Sequence, residues 1–281
     1  MSMTIEAFAR NKARPAAIVA HRGTWHLAPE NSLRAIRQTI AGGYDFAEID
    51  VQTSRDGTLF LMHDLDLERM TGVAGDPQSL TIEELRRLTL RKSNGGPHAE
   101  ASDQHIPTLE EALATSSGRV FFDVDTKFPE QLPQVAEAVA RAGAAGFANV
   151  KTPLADRDDL SRIELLRARF GVTIMAQTRF STTDSDRLIA LLLEAAPPMV
   201  ETKFDTFETL EKVLVACDDA GIAVWVNTLD PVSCCGLTDS AALDDPEAVW
   251  GRLIDAGVSL IQTDVPDCLR RFRDHRRKSV A

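Results

Sequence analysis

Cysteine is scarce in this chain, with four in 281 residues, and none of Cys217, Cys234, Cys235 and Cys268 forms a CxxC pair. The adjacent Cys234 and Cys235 make a poor disulfide framework, so reduced thiols in a cytoplasmic protein are the expectation. Long apolar runs are missing too. None approaches the length of an integral membrane segment, and Met1 to Arg14 carries charges without the apolar stretch of a signal peptide. Positive charge is in deficit: 31 Lys and Arg against 42 Asp and Glu leave a net charge of -11. That balance argues against nucleic acid or an anionic membrane as the main partner. An anionic substrate would need local positive charge, and a divalent metal is one source of it. No GxGxxG follows the first strand pattern, which removes the main support for a doubly wound nucleotide-binding sheet.

What is present fits a globular protein with a sizeable core: 44% hydrophobic and 26% charged residues. Short apolar, β-branched runs predict strands near 17–21, 46–51, 58–63, 120–125, 147–151, 172–176, 199–202, 222–227 and 258–262. Helical patterns fall near 32–41, 108–114, 130–141, 158–170, 183–194, 206–220, 246–256 and 266–273. Gly171, Gly221 and Gly257 each stop a helix directly before a strand. Strands alternating with helices imply parallel βαβ units.

One strand breaks the alternation. Too few residues separate Val51 from Leu59 for a parallel crossover, so these strands should form an antiparallel hairpin turned at Asp56-Gly57. The remaining eight strands are the number that closes a TIM (β/α)8 barrel, and α/β barrels of this length are often single domains. The expectation is one domain over 1–281, with a small insertion at about 64–105 after the third strand. The insertion holds a capping box, Thr81 with Glu84, and an exposed loop at Ser93-Asn-Gly-Gly-Pro97.

Three strand ends concentrate chemistry: His21-Arg22-Gly23, Glu48-Ile-Asp50 with the returning His63-Asp64, and Asp123-Val-Asp125-Thr-Lys127. In barrels the C-terminal strand ends line the active site. Glu48 and Asp50 share a face by strand periodicity, as do Asp125 and Lys127, and the hairpin brings His63 roughly opposite Glu48. Three converging carboxylates would repel one another unless a cation sits among them, and oxygen ligands suit Mg²⁺ or Ca²⁺. Histidine is the side chain suited to proton transfer near neutral pH, so His21 and His63 suit general acid/base work. Arg22 and Lys127 suit the non-bridging oxygens of a phosphate. Any one of these residues alone is more often a surface charge or a cap; four such pairs at three strand ends outweigh chance. Lys151-Thr152 and Glu201-Thr-Lys203 add charges at two further strand ends, where a substrate contact on one side and an ion pair or a solvated rim on the other are equal alternatives.

The chain resembles the glycerophosphodiester phosphodiesterase family. Ile18-Val-Ala-His-Arg-Gly23 with Ala28-Pro-Glu-Asn31 looks like its HRG…PEN signature, and Glu48-Ile-Asp-Val51, Asp56-Gly57 and His63-Asp64 look like its EIDV…DG…HD run. Asp66-Leu-Glu-Arg69, Thr71-Gly72, Ile106-Pro-Thr-Leu-Glu-Glu111 and Ile261-Gln-Thr-Asp264 extend the likeness over most of the chain. The resemblance implies a TIM barrel with metal ligands at Glu48, Asp50 and Asp125. It also implies His21 and His63 as the acid/base pair, Arg22 and Lys127 on the phosphate, and Glu30 and Asn31 supporting the site from the first helix. The substrate would be a small-molecule glycerophosphodiester, cleaved to glycerol 3-phosphate and an alcohol, in lipid and glycerol metabolism. The family usually has Glu where this chain has Asp125, one methylene shorter. The same residues would serve a phospholipase D-like lyase on lysophospholipids or sphingolipids, which should show an exposed apolar collar for acyl chains. They would also serve a phosphodiester-binding module without turnover, which metal-dependent activity excludes.

Overall fold

The structure is a computed structural model and describes residues 3–116 and 118–280, with side chains to 278. In chain order its strands are β1 (Ala17–Ala20), β2 (Phe46–Thr53), β3 (Leu59–Leu61), β4 (Thr89–Arg91), β5 (Ala101–His105) and β6 (Phe121–Asp125). They continue with β7 (Ala148–Pro153), β8 (Thr173–Phe180), β9 (Met199–Phe204), β10 (Ala223–Asn227) and β11 (Leu260–Thr263). The helices are α1 (Ile5–Ala9), α2 (Leu33–Gly42), α3 (Glu68–Thr71), α4 (Ile82–Arg86), α5 (Leu109–Ser116) and α6 (Leu132–Arg141). After them come α7 (Arg157–Phe170), α8 (Ser185–Ala195), α9 (Phe207–Ala220), α10 (Asp239–Asp244), α11 (Arg252–Ala256) and α12 (Pro266–Val280). Eight parallel strands, β1, β2 and β6 to β11, close on themselves because β1 pairs with both β2 and β11; this is the TIM (β/α)8 barrel. Among the described residues no helix is long and apolar enough to cross a membrane.

The chain forms two compact units, 20–150 and 1–19 with 151–281. In the first, β2 pairs parallel with β6, Glu48 against Asp123 and Asp50 against Asp125. β3 returns antiparallel beside β2, with Val51 opposite Leu61 and Thr53 opposite Leu59. The 64–105 segment is tied down by apolar burial: Leu67, Met70, Leu85, Leu90 and Ile106 pack with Phe60 and Met62 of the hairpin. Its Thr81–Glu84 capping box forms, and the loop at 93–97 proves to be the turn of a second hairpin, β4 with β5.

In the second unit β8, β9 and β10 pair in register, Gln177 against Glu201 and Glu201 against Trp225. Lys151 and Glu201, both buried, form an ion pair at 2.9 Å, one of the alternatives at these strand ends. The ends of β10 and β11 are tied by Asp239, which opens α10. Its carboxylate accepts from the Thr228 hydroxyl (2.6 Å), the Thr263 hydroxyl (2.7 Å) and the Asp264 backbone N–H (2.7 Å). Burial pushes the Asp239 carboxyl up to about 6, against the pull of those three bonds. A folded-state value above the ordinary one means that the folded chain holds this proton more tightly. Its contribution to stability is therefore full below the unfolded value and lost as pH rises through about 6. A shift of that size is worth on the order of 3 kcal/mol. The stability advantage of the wild type over Asp239→Asn, which cannot ionise, should shrink by that order between pH 4 and 7 in urea titrations. A pH-independent difference would remove Asp239 from this role.

Candidate active site

The site is built on the 20–150 unit, where the barrel strands run out. β1 is buried throughout, and its last residue is followed at once by His21 and Arg22. The chain then turns sharply: Arg22, Gly23 and Asn31 all have positive φ (55°, 76° and 53°). For Gly23 this is a packing requirement, since a Cβ there would stand 3.0 Å from Ala35. Non-glycine residues in the left-handed region are strained and cluster at functional sites. Here the strain is held by the Asn31 N–H donating to the Arg22 carbonyl (2.9 Å).

Three carboxylates converge. Glu48 and Asp50 point to one face of β2, and Asp125 is the register partner of Asp50 on β6. One oxygen from each lies within 4.8 Å of the other two. Glu48 and Asp50 are buried and Asp125 is half-buried. An all-oxygen set at that spacing fits the coordination shell of a hard divalent cation. Asn31 locks Asp50 twice, donating from Nδ2 to Oδ2 (2.8 Å) and accepting the Asp50 N–H on Oδ1 (3.0 Å). Burial opposes ionisation of Asp50, but the charges of Arg22, His63 and His21 outweigh it and hold the carboxyl below the ordinary range. Glu30 and Asn31 lie in the turn ahead of α2 rather than in it, because Ser32 is the cap that starts that helix.

The cations are steered by carboxylates. The Arg22 N–H donates to Glu48 Oε2 (2.9 Å), and its Nη1 forks onto both oxygens of Glu30 (3.0 and 3.1 Å). Its Nε lies 3.4 Å from Asp50 Oδ2. Lys127 Nζ donates to the His63 carbonyl (2.7 Å). Burial lowers its pKa, more than the pull of Asp50 restores.

His63 lies just past β3. Continuing the observed register sets it against Ile49, one residue from the expected Glu48. Gln52, buried in β2, fixes this return by donating to the carbonyls of Met62 (2.9 Å) and Asp64 (2.8 Å). His63 Nδ1 lies 2.6 Å from Asp64 Oδ1. Burial works against the Asp64 anion, yet hydrogen bonds from His63 and Arg69 hold its carboxyl well below the usual range. A carboxylate there makes Nδ1 the donor.

Every site residue expected from sequence therefore falls in one unit, and most are linked by direct bonds. Arg69 is the residue sequence reasoning missed. It was visible only within the Asp66-Leu-Glu-Arg69 run, and its partners, Glu30 and Asp64, are not at helical or strand spacing from it.

Fold and site together define a (β/α)8 barrel protein with an acidic centre flanked by histidine, arginine and lysine. Residues 21–268 match the model of the Glycerophosphoryl diester phosphodiesterase family, and the chain belongs to that family. Glycerophosphodiester phosphodiesterase 1 of Mus musculus is 40% identical over 109 residues, 38% of this chain and 33% of that protein. The chain thus matches about a third of that relative's length. Among solved structures, a glycerophosphoryl diester phosphodiesterase from Parabacteroides distasonis aligns with a TM-score of 0.79 at 18% identity, covering 96% of this chain and 92% of that one. An Oleispira antarctica phosphodiesterase, described in complex with the product sn-glycerol-3-phosphate, aligns with a TM-score of 0.65 at 19% identity, covering 92% and 97%. At these identities the two structures speak for the fold.

Proposed function

We propose that this chain, as one catalytic domain, hydrolyses glycerophosphodiesters to glycerol 3-phosphate and an alcohol, with Mg²⁺ or Ca²⁺ held by Glu48, Asp50 and Asp125. The observation that carries this reading is the carboxylate triad within 4.8 Å, set beside Arg22, Lys127 and two histidines. Family membership supports it, as does the glycerol 3-phosphate bound by the Oleispira antarctica neighbour. A cation bound there would supply Lewis-acid stabilisation of charge on the phosphate oxygens. Arg22 and Lys127 meet the non-bridging oxygens. Arg22 is aimed by Glu30, and Lys127 is anchored through the His63 carbonyl. One imidazole takes the proton of the nucleophile and the other protonates the leaving alcohol oxygen. For His63 the exchanging atom is Nε2, since Nδ1 is committed to Asp64. Glu30 and Asn31 hold Arg22 and Asp50 in place and touch no substrate. The free cysteines support a reducing, cytoplasmic setting, and the product belongs to lipid and glycerol metabolism.

The test is release of glycerol 3-phosphate from a panel of glycerophosphodiesters after EDTA treatment and again with Mg²⁺ or Ca²⁺ restored. Release that returns with metal is the expected result; none from folded protein with either ion would end this reading. A second reading, a lyase on lysophospholipids, has one observation in its favour. Leu27 and Leu65 are 83% and 57% exposed, and each follows a site histidine within a few residues. Lysophosphatidylcholine and a cyclic-phosphate product assay belong in the same panel. Cleavage of the acylated substrate alone would select that reading.

A further inference from the structure

We infer that Arg69, supplied by the 64–105 insertion, is the positioning residue that couples His63 to Arg22, an inference that rests on the proposed phosphodiesterase reading. The insertion thereby becomes part of the catalytic apparatus rather than a decoration on it.

The guanidinium uses its whole fork. Nε donates to Asp64 Oδ2 (2.5 Å) and Nη2 to Asp64 Oδ1 (3.0 Å). Nη2 also donates to Glu30 Oε1 (2.6 Å), while Nη1 donates to the Asn94 carbonyl. Both carboxylates are shared. The Asp64 oxygen that meets Arg69 also meets His63 Nδ1 (2.6 Å), and the Glu30 oxygens also take Arg22 Nη1. An unbroken chain therefore runs His63–Asp64–Arg69–Glu30–Arg22 and ends 3.4 Å from Asp50. Removing Arg69 releases Asp64 from the orientation that sets the His63 ring. It also leaves Glu30, 2% exposed, with Arg22 as its remaining ion-pair partner among the described residues, drawing that guanidinium off the phosphate.

The insertion is shaped to seat this residue. Met70, buried in the apolar cluster of the insertion, fixes α3 from beneath. The β4–β5 turn closes over the top: Gly96 N–H donates to the Arg69 carbonyl (2.8 Å) and Glu30 N–H to the Ser93 carbonyl (2.9 Å). Gly95 has φ +71°, and a Cβ there would stand 2.4 Å from the Arg69 carbonyl oxygen. Only glycine lets the turn approach so closely. Lysine would restore the charge of Arg69 but not a planar fork that reaches two carboxylates and a carbonyl at once.

The experiment uses the Mg²⁺-loaded full chain carrying Arg69→Gln, Arg69→Lys, Asp64→Asn, Gly95→Ala or the Arg69→Gln/Asp64→Asn pair. Steady-state kinetics is one readout and ¹H–¹⁵N spectra of the His63 ring are the other. For Arg69→Gln we expect kcat to fall about 10²-fold with KM changed by no more than about fivefold, since the loss is in placing groups. Arg69→Lys should recover less than about tenfold. Gly95→Ala, which contacts no substrate, should lose about tenfold. The double variant should fall no further than about threefold below the worse single one, because both break one link. In the spectra, the deshielded Nδ1 proton of His63 should be present in the wild type and lost in Arg69→Gln. Full recovery by lysine, or an unchanged Nδ1 proton and kcat within threefold in Arg69→Gln, would overturn the proposal. Should Arg69→Gln fail to fold, Asp64→Asn and Gly95→Ala decide by the same kinetics. A wild type that turns over no diester would defeat the phosphodiesterase reading, and the spectra alone would then judge the Arg69 link.

Discussion

Substituting alanine for His63 should lower kcat on the best glycerophosphodiester by about 10²- to 10⁴-fold while leaving the protein folded. The size follows from what a positioned acid or base contributes to a proton transfer in the transition state. The fold should tolerate the change. The His63 side chain is 30% exposed, and its ring makes one strong polar contact, to Asp64. That contact can be lost without stranding a charge, because Asp64 keeps both bonds from Arg69. Lys127 also survives the change, since it bonds to the His63 carbonyl rather than the ring. Phosphate binding should therefore be preserved and KM little affected, which separates a lost proton carrier from a collapsed site. His21→Ala should show a loss of the same order, its imidazole being, beside that of His63, the other one whose charge reaches Asp50. The check is kcat and KM for both variants beside their thermal melting points. If both turned over within about tenfold of the wild type, neither histidine would be the acid or base.

Legibility of this chain from sequence varied with the range of the interaction concerned. The barrel strands carry their signal locally, as short β-branched runs between helices stopped by glycine, and Gly171, Gly221 and Gly257 do sit in the left-handed cap conformation. The β2–β3 hairpin was legible because the chain between Val51 and Leu59 is too short for any other connection. The pairing of Asp50 with Asp125 follows once the two strands are known to be neighbours. What escaped was polar or very short. β5 is Ala-Ser-Asp-Gln-His, with no β-branched residue, and owes its extended state to pairing with β4. α1 and α10 are five and six residues long and depend on capping by Thr4 and Thr238. The segment at 246–256 keeps helical periodicity, but its first turn widens into a π-helix at Glu247–Gly251 before α11 begins. Arg69 escaped for the deeper reason that its partners lie at sequence separations of 39 and 5. No local period encodes such a clamp; only the folded insertion brings the three together.

Asp50→Asn should remove about 10³-fold of turnover and abolish the stabilisation that Mg²⁺ or Ca²⁺ gives. The metal response is the more telling. Carboxylate oxygens within 4.8 Å of one another repel by roughly 3 kcal/mol or more per pair at an effective dielectric constant near 20. Arg22, beside Asp50 at 3.4 Å, offsets part of this. Asparagine removes one charge from the cluster but keeps an oxygen to accept the Asn31 Nδ2 bond. With His21 and His63 adding to Arg22, the Asp50 anion is favoured in the folded chain despite its burial, so the metal-free variant should melt below the wild type, like most buried substitutions. For the wild type, metal at a hundredfold excess over its Kd adds about 2.7 kcal/mol. That increment should vanish in Asp50→Asn, and the Lewis-acid share of catalysis with it. Glu48→Gln should behave alike. Asp125→Glu, which lengthens the half-buried ligand by one methylene toward the family's usual residue, should keep the metal response. Melting curves with EDTA, Mg²⁺ and Ca²⁺ for these four proteins decide the matter. Equal metal shifts in wild type and Asp50→Asn would mean that the triad is not the cation site.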